Sequence, residues 1–348
     1  MNRGSVSDFF PCRSRLRMVL TICVGLFLSA CAKSSDCGLG AHEEKGICIA
    51  DRSAAPASTA NDAVPSSAIP APAFREWTRA TTPPGVGNIW SVACGNGMFI
   101  VAGDDGVMLS SKDGVAWSHL PKVTDGQING LHYLGGRFLA AAPGKGLLSS
   151  ADGITWEGPT APGSIVVDLD FKDGQFVILG RGDIQFSADA RTWSKPKYTG
   201  IYDDYLTAGK GQLVTIGFTA GRTDSEEHSN VSSDGITWEK YPLPSSEMTR
   251  AVEFYDPNFF ALVDNELLSS QDGKSWKSEF KTSSGELSGM VRTATHFIIV
   301  GTQGLILVGT DPAKLETVKI EPVDLYRVAS CDQIAVAIGV KGEIFYSR

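Results

Sequence analysis

From residue 74 to the end of the chain, short apolar runs alternate with polar breaks in a fixed order. Residues 89–93 and 98–102 are two such runs; Gly103-Asp104-Asp105-Gly106 interrupts, and residues 107–110 form a third. β-Branched and aromatic residues fill the runs while Gly, Asp and Asn punctuate them, which predicts strands joined by tight turns. After the third run comes a box, Ser-x-Asp-Gly-x-x-Trp, and then one more strand. The first box is Ser111-Lys112-Asp113-Gly114-Val115-Ala116-Trp117. Further boxes carry Asp152 with Trp156, Asp189 with Trp193 (Ala190 in the Gly place), Asp234 with Trp238, and Asp272 with Trp276. The Trp residues are spaced by 39, 37, 45 and 38 positions, and a decayed copy sets Asp311 before Leu315, 39 residues after Trp276. Four strands recurring at this interval mark propeller blades.

Residues 326–347 align with 90–111: Gly339 falls on Gly103, Gly342 on Gly106 and Ser347 on Ser111. The chain then stops before the last strand of that repeat. Residues 74–80 look like an isolated fourth strand, and Trp77 lies 40 positions before Trp117, one repeat away. The expected fold is therefore all-β: a seven-bladed β-propeller of four-stranded blades over residues 74–348, its last blade closed by the N-terminal strand near Trp77. Such closure hides two strand edges. The alignment also sets Cys94 opposite Ser330 and Cys331 opposite Gly95, so a closed ring makes the two cysteines neighbours and predicts a Cys94–Cys331 disulfide.

The box has a structural use. Asp and Ser side chains accept backbone N–H bonds in a tight turn, Gly supplies a positive φ, and Trp buries a large face between blades. The boxes resemble those of the Asp-box (BNR-repeat) β-propellers, which include sialidases, sortilin-type receptors and the photosystem II assembly-factor group. The usual box is one residue longer, Ser-x-Asp-x-Gly-x-x-Trp. The resemblance implies a fold and leaves function open. A sialidase would need an arginine triad, a Tyr–Glu nucleophile pair and an acid, and the sequence offers no matching set.

The N-terminus has a different pattern. Arg13, Arg15 and Arg17 precede an apolar run over residues 19–30, too short for a permanent span and suited to a secretory signal. The run ends Leu28-Ser29-Ala30-Cys31, which resembles a bacterial lipobox and implies cleavage before Cys31 and acylation there. Ala32 after the cysteine suggests the outer membrane by resemblance to enterobacterial sorting. Residues 1–30 read as a lipoprotein signal peptide. Residues 31–73 read as a lipidated tether, dominated from residue 50 by Ala, Pro, Ser and Thr. Cys37 and Cys48 flank a Gly-rich acidic stretch and are expected to close a small loop.

The whole chain carries net charge −8, and −11 once residues 1–30 are removed. This disfavours nucleic acid and anionic lipid as partners, so membrane contact is expected through the acyl chains alone. Gly-x-Ser-x-Gly, His-Glu-x-x-His, Cys-x-x-Cys and P-loop motifs are missing, and the five His residues are scattered. No metal, cofactor or catalytic residue is expected. The loops between second and third strands and between blades are the candidate binding surface, with Asp104, Asp105, Lys145 and Arg181. Residues 217–230 read as one long loop, explaining the 45-residue spacing and holding Arg222, Asp224, Glu226, Glu227 and His228. Tyr198, Tyr202 and Tyr205 lie in one connection and read mainly as packing. The expected function is a monomeric, lipid-anchored envelope scaffold or assembly factor that binds a protein. The alternatives are a carbohydrate-binding surface lipoprotein and, third, a glycan-acting hydrolase or lyase.

Overall fold

The computed structural model describes residues 41–44, 47–50, 74–160, 162–218, 227–245 and 247–348. Cys31, Cys37, Arg222, Asp224 and Glu226 lie outside the described residues. Cys48 is on a two-stranded hairpin, Ala41–Glu44 with Ile47–Ala50.

The repeated runs form seven antiparallel four-stranded sheets. Blade 1 comprises Ile89–Gly95, Met98–Gly103, Met108–Ser111 and Ser118–His119. The innermost strands of blades 2 to 7 are Gly130–Leu134, Asp168–Lys172, Tyr205–Gly209, Thr249–Tyr255, Leu287–Arg292 and Leu325–Cys331. Each packs against its two neighbours, and that of blade 7 packs against that of blade 1, so the sheets form a closed ring. The core lies between blades. Val101 and Leu109 of blade 1, for example, pack with Val336, Ile338 and Ile344 of blade 7.

The box turns lie on one rim of the ring. In all five, the Asp Oδ1 accepts N–H bonds from the second and third residues onward, at 2.7–3.1 Å. These amides draw the pKa values of Asp152 and Asp234 down to about 2. Four of the Trp residues donate Nε1–H to the box Gly carbonyl at 3.0–3.2 Å. In the fifth box, Ala190 holds φ at +58° and the buried Trp193 Nε1 has no partner. In the decayed copy Asp311 still caps the turn through Ala313 N, and Leu315 takes the buried place of Trp.

Ring closure follows the expected scheme with a shorter strand. Thr78–Arg79 pairs with Tyr346 and Phe345, and only these two pairs form. Trp77 Nε1 donates to the Phe74 carbonyl at 2.9 Å, three residues back as in the boxes, and Phe74 carries the positive φ of +49°. A seventh box is thus split between the two ends of the domain. It has Ser347 but no Asp, and the buried Ser347 Oγ is unpartnered. Cys94 and Cys331 are disulfide-bonded with Cα atoms 5.8 Å apart.

Residues 217–230 are not one loop. Gln212–Phe218 and Glu227–Ser232 are paired strands with Gly217 opposite His228 and Phe218 opposite Glu227. The extra residues of this repeat lengthen a hairpin and leave residues 219–226 between the strands.

Candidate functional site

The seven inner strands surround a central channel of about 770 Å³. Sequence reading did not single out its polar lining, which includes His132, Asp168, Asp170, Arg250, Glu253 and Arg327. The two aspartates serve the ring. Asp168 accepts Leu206 N at 2.8 Å and Asp170 accepts Ala208 N at 2.5 Å, so blade 3 is pinned to blade 4 at alternate positions. Ser91 pins blade 1 to blade 2 likewise, its Oγ accepting Leu131 N at 2.9 Å. Burial raises Asp168 to about 6 and lowers His132 to about 4; the His132 Nε2 lies 3.6 Å from Asp168 Oδ1. The Arg327 guanidinium donates to the carbonyls of Ser288 and Tyr326 and is exposed to the channel. The i, i+2 spacing of Asp168 and Asp170 was the available sequence signal, but nothing local tells which face of a strand meets the channel.

Irregular pairing marks the start of several inner strands, and at one of them Arg250 lines the channel. In blades 1, 5, 6 and 7 the inner strand bulges at its second residue, which is Trp90, Arg250, Ser288 or Tyr326. Bulges re-aim side chains next to binding sites. Trp90 and Tyr326 stack with ring centroids 5.7 Å apart. Arg250 pairs with Glu286 at 2.8 Å.

The residues expected to form binding loops do not converge. Asp104 accepts Trp90 Nε1 at 2.6 Å and Asn88 Nδ2 at 2.8 Å; the Trp90 bond above all holds its carboxyl below the usual carboxylate range. Asp105 takes a positive φ of +53° in the same turn, as Gln303 and Lys341 do in their blades. Lys145 is exposed on blade 2. Arg181, on blade 3, pairs with Asp204 at 3.0 Å at the channel mouth.

Glu227 and His228, expected on a loop, are buried strand residues. His228 Nε2 lies 3.3 Å from Asp203 Oδ1. The other Asp203 oxygen accepts Thr215 Oγ1 at 2.5 Å and Asn230 Nδ2 at 2.7 Å. Glu227 accepts Thr249 N and Oγ1, at 3.3 and 3.0 Å, and burial raises its pKa. The neighbours Asp203 and Asp204 are thereby separated, one interior and one at the mouth. Polar groups tolerate burial when each finds a partner, so a polar run here is a strand.

Tyr205 begins the inner strand of blade 4 and packs against the core there, as expected, but the other two tyrosines differ. Tyr198 is 77% and Tyr202 48% exposed, and the two hydroxyls are hydrogen-bonded, which raises the pKa of Tyr202. Ile165 (64%) and Met248 (54%) are likewise exposed on the loop face. These four residues lie in the connections entering blades 3, 4 and 5 or at the edge of blade 3, and they are all the exposed large hydrophobics of that face among the described residues. The other two, Ile154 and Ile236, sit in box turns on the opposite rim.

No family model and no curated protein matches the chain. Solved structures do, at low sequence identity. "YCF48 bound to D1 peptide" is 15% identical with a TM-score of 0.60, over 78% of this chain and 94% of that one. Virginiamycin B lyase from Staphylococcus aureus is 10% identical with a TM-score of 0.65, over 78% and 99%. The WD40 β-propeller domain of Doa1 is 10% identical with a TM-score of 0.60, over 79% and 97%. At these identities the likeness is one of fold. The class of protein is a β-propeller, and the particular function rests on the site.

Proposed function

We propose that this chain is a non-enzymatic protein-binding scaffold or assembly factor of the bacterial cell envelope, held to a membrane by lipid on Cys31 and a tether over residues 31–73. The observation that carries the protein-binding part is the gathering of Ile165, Tyr198, Tyr202 and Met248 on one sector of the loop face. Clustered exposed apolar and aromatic groups on a rigid frame mark protein recognition. The channel carboxylates Asp168 and Asp170 are occupied by backbone amides, which suits a structural role better than catalysis. That one remote structural neighbour was solved with a peptide and another is a WD40 domain agrees with this reading. The lipid anchor rests on the Leu28-Ser29-Ala30-Cys31 sequence alone. Carbohydrate binding is the second reading, favoured by the exposed tyrosine pair. Cross-linking mass spectrometry on the native envelope fraction tests the proposal. One recurrent protein linked through the connections of blades 3 to 5 is expected; background links alone, from abundant folded protein, would overturn it.

A further inference from the structure

The central channel holds one cation that the protein does not neutralise. Strand register sets Asp168, Tyr205, Ala251, Gly289 and Arg327 at one level, each opposite the corresponding residue of its blade's second strand. His132, Asp170, Glu253 and Val291 lie two residues further along their strands, about 7 Å at the usual strand rise. Both levels line the channel.

Arg327, on blade 7, faces blades 3 and 4 across the ring, and its charge acts on Asp168 and Tyr205 there. The carbonyls of Ser288 and Tyr326 hold its Nη1 at 2.9 Å each. Gly289 makes this cradle possible, because a Cβ there would stand 2.9 Å from Arg327 Cα and 2.9 Å from the Tyr326 carbonyl oxygen. The other two arginines of the lining have carboxylate partners, Arg181 in Asp204 and Arg250 in Glu286. Among the described residues Arg327 has no ion-pair partner, and its Nε and Nη2 donate no hydrogen bond within the protein. The residue is exposed to the channel, flanked at its own level by the small Gly289 and Ala251. A guanidinium edge fixed in this way matches a carboxylate, which it binds through two parallel bonds.

The remaining lining sets the sign of the guest. With the two arginine–carboxylate pairs balanced, Asp168, Asp170 and Glu253 stand against Arg327, three negative charges to one positive. His132 adds no charge at neutral pH, since burial lowers its pKa to about 4. A plain anion would meet Arg327 but suffer the acidic surplus, and a plain cation would leave Arg327 unanswered. A guest that carries one carboxylate and an excess of cationic groups answers both. The deeper level has Asp170 and an exposed Glu253 and neither Lys nor Arg.

We propose that the channel binds a free basic amino acid of the lysine or arginine class. Its carboxylate pairs with the open edge of Arg327, and its side-chain cation reaches one level deeper, beside Asp170 and Glu253. The two ends of such a molecule are spaced as the two levels are. The channel volume, about 770 Å³, falls within the range of small-molecule sites. The inference is independent of the loop-face partner, and either reading can fail alone.

The test is isothermal titration of the full chain with L-lysine and L-arginine, each up to millimolar concentration. Cadaverine, which lacks the carboxylate, and norleucine, which lacks the side-chain cation, are the comparisons. At least one basic amino acid is expected to bind, and each comparison compound to bind about tenfold more weakly or worse, as loss of one charge-assisted contact predicts. Arg327→Gln should abolish the preference for lysine over cadaverine, and Glu253→Gln should reduce the preference for lysine over norleucine. Both side chains are exposed in the channel, so the variants should fold, and wild-type thermal midpoints confirm it. Absence of binding by both amino acids, equal binding of norleucine or cadaverine by the wild type, or an unchanged preference in Arg327→Gln would each overturn the inference.

Discussion

Replacing Cys94 and Cys331 with alanine tests how the ring is held shut. The closing strand contributes only two residue pairs, Thr78 with Tyr346 and Arg79 with Phe345. The disulfide joins inner strands of blades 1 and 7 across a sequence separation of 237 residues. In the chain-entropy description a cross-link closing so long a loop restricts the unfolded ensemble by about 5 kcal/mol. The double variant is expected to lose most of that, seen as a lower urea midpoint by Trp fluorescence. Its dependence on urea should also steepen, because an unlinked unfolded chain exposes more surface. Reduction of the wild type should give the same curve. Trp77→Ala removes the other closure, a side chain packed on the blade 6 and 7 core. Because either closure alone still joins blade 7 to blade 1, combining the changes should cost more than the sum of the separate losses. A double-cysteine variant that loses less than about 1 kcal/mol with an unchanged slope would refute the reasoning.

Other consequences are as direct. Ala190→Gly should stabilise by about 1 kcal/mol, since it relieves a left-handed backbone that the other four boxes give to Gly; a lower thermal midpoint would contradict this. Gly217→Ala should destabilise by about 2 kcal/mol or more through overpacking, because a Cβ there would stand 2.6 Å from Asp203 Cα and displace the carboxylate from Thr215, Asn230 and His228; a thermal midpoint at or above the wild type's would contradict that. His132, lowered to about 4 from 6.5, refuses a proton that the unfolded chain accepts, so acidification through that window weakens the fold. Asp168, raised to about 6 from 3.8, takes its proton first in the folded state, so acidification through its window relieves a cost. The two oppose each other: His132→Asn should become more stable relative to wild type as pH falls, and Asp168→Asn less so, by thermal melts across that range. Parallel profiles for all three proteins would count against both assignments.

The fold was largely legible because its signals are local. A box turn is specified by Asp, Gly and Trp within seven positions, and the structure builds each one from those side chains and the adjacent amides. Even the decayed copy at Asp311 and Leu315 keeps its cap and its buried side chain. The site was less legible because it is made by the ring. Glu227 and His228 look like loop residues until their partners are in place, Thr249 at the start of blade 5 and Asp203 in the connection into blade 4. His132, Asp168 and Arg327 meet only because three blades curve round one axis. Arg250 reaches the channel lining at a bulge that no composition pattern announces.

The split seventh box also has a mechanical consequence. Tension applied to the chain before Phe74 arrives at the rim carrying the box turns, opposite the loop face. It first meets Phe74 and Trp77, packed on the blade 6 and 7 core, and then a strand of two pairs, which can peel away. The stretch from there to Ile89 can then extend to about 35 Å at most. The pull next reaches the inner strand of blade 1, where Cys94 is covalently fixed to Cys331. The closure therefore acts as a slip clutch, yielding length under load while blade 7 keeps its three inner strands and stays joined to blade 1 through the disulfide.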